Sequence, residues 1–157
     1  MSEDSGTPLP RKLGIGSGHL VTLLQAPEGF EKTLAPLPAG TTVRRGLAGP
    51  QSSHVMVLFS ADRKQLERAF PPAARRLDSA GGLWVAWPKR ASGIRTDLTE
   101  DAVRAVGLTA GLVDNKVCAI DRVWSGLRFV YRRKDRAEAE REGRHPTRMA
   151  RPPRRRP

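Results

Sequence analysis

A single cysteine, Cys118, is all the thiol chemistry that the 157 residues contain, which excludes an internal disulfide and a structural zinc site of the usual four-ligand kind. No run approaches the roughly 18 uninterrupted apolar residues of a membrane-spanning helix. The opening MSEDSGTPLPRKLGIGSG carries acids and glycines where a secretory signal needs a basic start and an apolar core. A cytoplasmic protein without a membrane partner is expected. Also missing are a serine elbow, a Walker loop and an HExxH helix, so the common hydrolase and nucleoside-triphosphatase routes lack support. His19, His54 and His145 show no ligand spacing, and no metal site is expected.

Acidic residues are scarce, at 16 against 28 Lys and Arg, for a net charge of +12. Residues 132–157 hold eleven of the bases and four of the acids, a net of +7. This segment, RRKDRAEAEREGRHPTRMARPPRRRP, has almost no large apolar side chains and cannot bury enough surface to offset its ordering entropy. The reading is a flexible arm over 1–11, one α/β domain over 12–134, and a disordered basic tail over 135–157 with a short helical extension near Asp135–Glu142. Counterion release would draw a polyanion such as nucleic acid to Arg151, Arg154, Arg155 and Arg156 without base readout. Simple solubilisation by the tail is the competing reading.

Apolar β-branched runs alternate with helix-like segments, the pattern of a crossover-connected α/β sheet. Strands are predicted at His19–Gln25, Thr41–Arg45, Ser53–Phe59, Leu83–Trp87, Val113–Ile120 and Leu127–Arg132. The first and third are continuous apolar runs suited to burial on both faces. A short helix opens at Pro27 or Glu28 and is stopped by Pro36 and Pro38. Asp62 with Gln65 forms a capping-box pattern, and the helix from Arg63 carries Leu66, Phe70, Ala73 and Leu77 on one stripe, kinked or split by Pro71-Pro72. Ala80-Gly81-Gly82 reads as a turn. Thr99 caps another helix with Leu98 and Val103 as a hydrophobic staple, and Gly107 ends it. The last two strands form an antiparallel hairpin around Asp121–Gly126.

The segments LWVAWPKRASGIRTDLTEDAVR, GLVDNKVCAID and WSGLRFVYRR, with KLGI and QAPEGF, resemble the actinobacterial family known as domain of unknown function 3052 over about residues 11–134. That resemblance implies bacterial origin and a shared fold, and no mechanism. The layout is also similar to that of S-adenosylmethionine-dependent methyltransferases, which implies a Rossmann-like, mostly parallel six-stranded sheet of order 2-1-3-4-6-5, its last strand antiparallel and one strand fewer than those enzymes have. Their cofactor needs a glycine-rich turn after the first strand and an acid after the second. Here stand QAPEGF and the pair Arg44-Arg45, so methyl transfer by the usual route is not expected and no cofactor is assigned.

Ligands in such sheets bind beyond the carboxyl ends of the strands, near the point where strand order reverses. Glu28 and Asp62 fall there, a pair of acids able to do general acid/base work, with Glu28 a candidate ligand contact; capping of a helix start by each carboxylate is the favoured alternative. The loop Trp87–Asp97, with Lys89, Arg90, Ser92, Arg95 and Thr96, offers flexible donors for an anion such as phosphate and is the candidate ligand lid, with Arg44 and Arg45 as possible contributors. A basic loop on a cationic chain is the plain alternative. Asp114 and Lys116, two apart on a strand, are expected on one face, with Asp121, Trp124 and Ser125 in the hairpin loop; an edge strand wetted on one side explains the charges without catalysis. Trp84, Trp87 and Trp124 read as core or its rim, and Cys118 as a buried thiol. The leading expectation is a non-catalytic or regulatory module that binds a small anionic ligand or a protein partner, with no residue assigned a catalytic role. A nucleic-acid-associated protein and a cryptic enzyme related to methyltransferases are the alternatives.

Overall fold

The computed structural model describes residues 6–141, so the tail arginines from Arg151 onward lie outside the described residues. Six strands form one sheet: β1 (Leu20–Leu24), β2 (Thr42–Arg45), β3 (Ser53–Phe59), β4 (Leu77–Pro88), β5 (Leu112–Ala119) and β6 (Trp124–Tyr131). Their order is β2-β1-β3-β4-β6-β5. β1 pairs in parallel with β2 and β3, β3 pairs in parallel with β4, and β6 runs antiparallel to both β4 and β5. The strand order expected from the layout is therefore the one observed, and strand sequence reverses between β1 and β3.

The sheet divides the core in two. On one face lie α3 (Arg63–Ala74), α4 (Glu100–Thr109) and α5 (Arg136–Arg141) over Met56, Leu58, Leu83, Val85 and Phe129. On the other lie α1 (Leu9–Leu13) and α2 (Phe30–Leu34) over Val21, Leu23, Val57, Trp84 and Ile120. Alternation along β4 explains the division, since Leu83, Val85 and Trp87 point to the first face and Trp84 and Ala86 to the second. Leu13 of α1 and Ala139 of α5 are both fully buried, so both terminal helices pack as parts of the domain.

Several local expectations are corrected by packing. α3 is one helix because Pro71 and Pro72 fall in its final turn, and it stops at Ala74, leaving Leu77 as the first residue of β4. Ala80-Gly81-Gly82 is strand rather than turn. A Cβ at Gly81 would sit 2.6 Å from the His54 carbonyl, so glycine there permits close strand approach, and the β3–β4 register jumps from Ser53–Leu77 to Val55–Gly82. Gly107 does not end α4 either; a Cβ on it would lie 2.0 Å from Phe129 Cε1, and the helix runs on to Thr109. Thr99 does cap α4, its hydroxyl accepting from Ala102 N at 3.1 Å, with Leu98 and Val103 buried as the staple requires. α2 is a single short turn whose N-cap is Gly29 with no side-chain cap, so Glu28 does not cap it.

Candidate functional site

A cleft of about 580 Å³ opens at the carboxyl ends of β1 and β3, where the strand order reverses. Gln25 closes β1 into it in a left-handed backbone conformation (φ 58°), the only non-glycine residue with positive φ among those described. Such a conformation costs a residue with a Cβ, and it is kept here where the backbone must turn out of the sheet. The Gln25 amide donates to Phe59 O at 3.0 Å and accepts from Gln65 Nε2, while Ser60 Oγ lies 2.6 Å from Gln65 Oε1. One amide chain thus ties the ends of β1 and β3 to the first turn of α3.

The opposite wall comes from the loop after β4. Thr96 Oγ1 donates to Ala61 O at 2.6 Å, and Asp97 Oδ1 accepts from Arg63 N at 2.8 Å. Asp62 Oδ2 accepts from Gln65 N at 2.8 Å. Both acids are therefore committed to the amides at the start of α3, where a carboxylate also meets the positive end of the helix dipole. Only half of the expected capping box forms, because the Gln65 side chain turns toward Gln25 and Ser60 rather than back to Asp62 N. Arg95 is different. It lines the cleft, is exposed, and has no hydrogen-bond or ion-pair partner among the described residues. The cleft accordingly offers one uncommitted cation, hydroxyls and amides, and pairs no nucleophile with a base.

A second arrangement stands at the end of β2. Arg45, at the end of β2, donates to Glu31 through Nε (2.8 Å) and Nη2 (3.0 Å), to Ala26 O through Nη1 (2.9 Å) and to Pro27 O through Nη2 (2.9 Å). This bidentate ion pair holds the Glu31 carboxyl down at about 2. The guanidinium thereby clamps the β1–α2 turn from the end of β2, and it is spent on protein acceptors. Arg44 is similarly engaged, donating to Thr22 Oγ1 and to the carbonyls of Ala48 and Gln51.

Of the residues singled out from sequence, the structure brings Arg95, Thr96 and Asp97 together at the cleft with Asp62, and leaves Trp87, Lys89 and Ser92 outside its lining. Trp87 is buried in the core, Ser92 Oγ accepts from Ile94 N, and Lys89 N donates to Val123 O. The loop is pinned through Thr96 and Asp97 rather than hanging free as a lid. Glu28 is exposed near Arg45. Asp114 and Lys116 are not on one face: a β-bulge at Asn115 sets Asp114 opposite Phe129 and Lys116 opposite Arg128. Asp114 Oδ2 accordingly accepts from Arg104 Nε on α4 (2.9 Å), whereas Lys116 Nζ donates to Lys12 O on the other side. Arg104 also pairs with Glu100 and Asp101, and the bonds to Asp114 and Glu100 raise its pKa further. Asp121 Oδ1 accepts from Val123 N and Trp124 N, shaping the hairpin turn; Trp124 and Ser125 already belong to β6. Trp84 is wholly buried, and Trp124 packs edge-on against Phe59, so the tryptophans form no common stacking surface.

Nothing in the sequence marks Gln25 or Gln65 as a site residue, and Ser60 is marked only as part of the loop Ser60–Asp62 that follows the third strand. A left-handed glutamine carries no sequence signal, and amide pairing across 40 positions is invisible until the sheet is assembled. His19 and His54 also meet unannounced, their rings stacked 4.6 Å apart with each Nδ1 accepting a backbone N–H, and burial lowers both pKa values. No cluster of three metal-ligating side chains occurs among the described residues, and no helix among them is long and apolar enough to cross a membrane.

No family model matches the chain, and no curated protein sequence matches it. Solved structures do. An S-adenosylmethionine-dependent methyltransferase from Aquifex aeolicus superposes with a TM-score of 0.54 at 12% identity over 77% of this chain and 86% of that one. LepI in complex with S-adenosylmethionine gives 0.50 at 13% identity over 80% of this chain and 47% of that one. The magnesium protoporphyrin IX methyltransferase of Synechocystis with bound S-adenosylhomocysteine gives 0.50 at 12% identity, covering 74% and 75%. The chain spans about half the length of LepI. The fold is that of the methyltransferases.

Proposed function

We propose that this chain is a cryptic enzyme-like relative of S-adenosylmethionine-dependent methyltransferases that binds a small anionic ligand in the cleft between Gln25 and Arg95. The observation that carries the reading is Arg95, an uncommitted guanidinium in the wall of a cleft at the strand-order reversal, the place where sheets of this kind take ligands. Kinship of fold supports a transferase ancestry; it does not supply a mechanism. The ligand is not held by ribose contacts at the end of β2, since Arg45 occupies that place and has no free acceptor to offer. A regulatory or protein-binding module is the second reading, favoured by the lack of a nucleophile–base pair in the cleft. The segments from Leu83 to Arg104 and Gly111 to Asp121 support placing residues 11–134 with the domain of unknown function 3052, and the lone Cys118 supports a cytoplasmic setting.

A thermal-shift panel of phosphorylated metabolites, nucleotides, carboxylates and S-adenosylmethionine tests the proposal. An anion that binds should stabilise the fold by about 2.7 kcal/mol at a hundred times its Kd. Arg95→Ala should weaken that ligand by roughly 10- to 100-fold, the worth of a hydrogen bond to a charged group, without lowering the stability of the free protein. No response across the panel, or an unchanged response in Arg95→Ala, contradicts the proposal.

A further inference from the structure

The amides on the floor of the cleft run in one direction, and that direction selects the ligand. A carbonyl oxygen can only accept, so the Gln25 atom 3.0 Å from Phe59 O is the amide nitrogen. Gln25 Oε1 then faces Gln65, which turns its own Nε2 toward it. Gln65 Oε1 in turn meets Ser60 Oγ at 2.6 Å. Ser60 has one hydroxyl proton, and this shorter contact takes it in preference to Asp62 O at 3.0 Å. The Ser60 oxygen accepts from Asp62 N at 3.3 Å, which ends the relay. Phe59, Gln25, Gln65 and Ser60 thus form one chain of bonds, every member polarised in the same sense.

What this chain leaves over is of one kind. A primary amide has two N–H groups and one carbonyl. In Gln25 and in Gln65 the carbonyl and one N–H are engaged, and the other N–H of each has no acceptor among the described residues. Both residues line the cleft together with Arg95, the guanidinium without a partner. The Thr96 hydroxyl proton is already given to Ala61 O. The backbone of Gln25 points the same way. Glycine would make its left-handed turn (φ 58°) without strain, but would bring no amide to the floor.

The charge of the walls makes the second half of the selection. Arg95 is the single cation of the lining, and Asp62 and Asp97 are two carboxylates beside it. A dianion such as a phosphate monoester meets one positive charge and two negative ones there. A carboxylate brings one negative charge and two acceptor oxygens, enough for a guanidinium fork and amide N–H groups together. We propose that the cleft takes a carboxylate monoanion, with the free Nε2–H groups of Gln25 and Gln65 and the Arg95 guanidinium as its donors. This rests on the anion-binding reading of the cleft and narrows it from any small anion to a carboxylic acid.

The test is NMR of the full chain at neutral pH and constant ionic strength, with benzoate, phenyl phosphate and benzamide titrated separately. The three probes share a ring and differ in the charge and shape of the head group. The side-chain NH2 pairs of Gln25 and Gln65 and the Nε–Hε signal of Arg95 are followed. The expected result is saturable benzoate binding that moves all of these signals, with phenyl phosphate and benzamide weaker by about tenfold or more. Gln65→Met keeps the length of the side chain and removes the amide, and should weaken benzoate about tenfold or more. If that variant fails to fold, the amide signals of the parent protein decide the matter. Phenyl phosphate binding at Arg95 as tightly as benzoate would overturn the carboxylate assignment and leave the anion site standing. Benzoate binding that leaves both amide pairs in place, or equal binding of benzamide, would overturn it as well. No saturable binding of either anion at Arg95 would instead remove the anion-binding reading itself.

Discussion

Trp84→Ala is expected to lose about 3–5 kcal/mol of folding stability, the range for deleting a large aromatic side chain from a closed core. Trp84 is fully buried in β4, flanked in register by Val57 of β3 and Arg128 of β6. Its ring occupies the core beside α1 and α2, and its Nε1 donates to Leu13 O at 3.0 Å across 71 residues. Alanine would leave both a cavity and a buried carbonyl without a donor, and the second loss adds to the first. Trp84→Phe separates them, since it keeps most of the volume and gives up the bond; about 1–2 kcal/mol is expected. Urea unfolding checks this through the midpoint at constant m-value. A loss below about 1 kcal/mol for Trp84→Ala would mean that α1 does not rest on this indole.

Stability should fall as pH rises from about 4 to about 6, on the order of 2–3 kcal/mol, through the buried carboxyl of Asp78. Asp78 is 1% exposed; burial raises its pKa from 3.8 to about 6, Ala80 N opposes the rise, and Glu140 on α5 adds to it. Well below pH 3.8 Asp78 is protonated both folded and unfolded. Between the two values the unfolded chain gives up the proton and the folded chain keeps it, so each step upward favours unfolding. Above about pH 6 the effect is complete. Glu31 works in the other direction and in another window: its stabilising ionisation is present above 4.5 and is lost as pH falls toward 2. Asp78→Asn should abolish the decline between pH 4 and 6, as read from urea midpoints at several pH values. The same slope in that variant would assign the decline to another group.

The sheet was legible because burial on both faces writes itself as continuous apolar runs, and HLVTLLQ and SHVMVLF could only be interior strands. Ser53–Phe59 was bounded to the residue. Caps were legible where a side chain does the capping, as at Asp62 and Thr99. Glycines misled, because a turn glycine and a packing glycine look alike in sequence: Gly81 admits the His54 carbonyl and Gly107 admits Phe129, and neither stops its element. The Asn115 bulge had no signal either, and it reversed the face of every β5 residue beyond it, parting Asp114 from Lys116. For the site, position was legible and membership was not. Topology placed it at the carboxyl ends of β1 and β3, and Arg95, Thr96 and Asp97 do line it, but Gln25, Ser60 and Gln65 enter through contacts between distant segments.

The engagement of Arg45 with Glu31, Ala26 and Pro27 at the end of β2 underlies the proposed reading, and backbone NMR of the protein titrated with S-adenosylhomocysteine and with the best anion from the panel tests it most directly. The account predicts that the anion shifts Gln25, Ser60, Gln65 and Arg95 saturably, while S-adenosylhomocysteine leaves Ala26, Glu31 and Arg45 where they are. Saturable shifts of Ala26, Glu31 and Arg45 with S-adenosylhomocysteine would show that the clamp opens to admit the cofactor, and would contradict it.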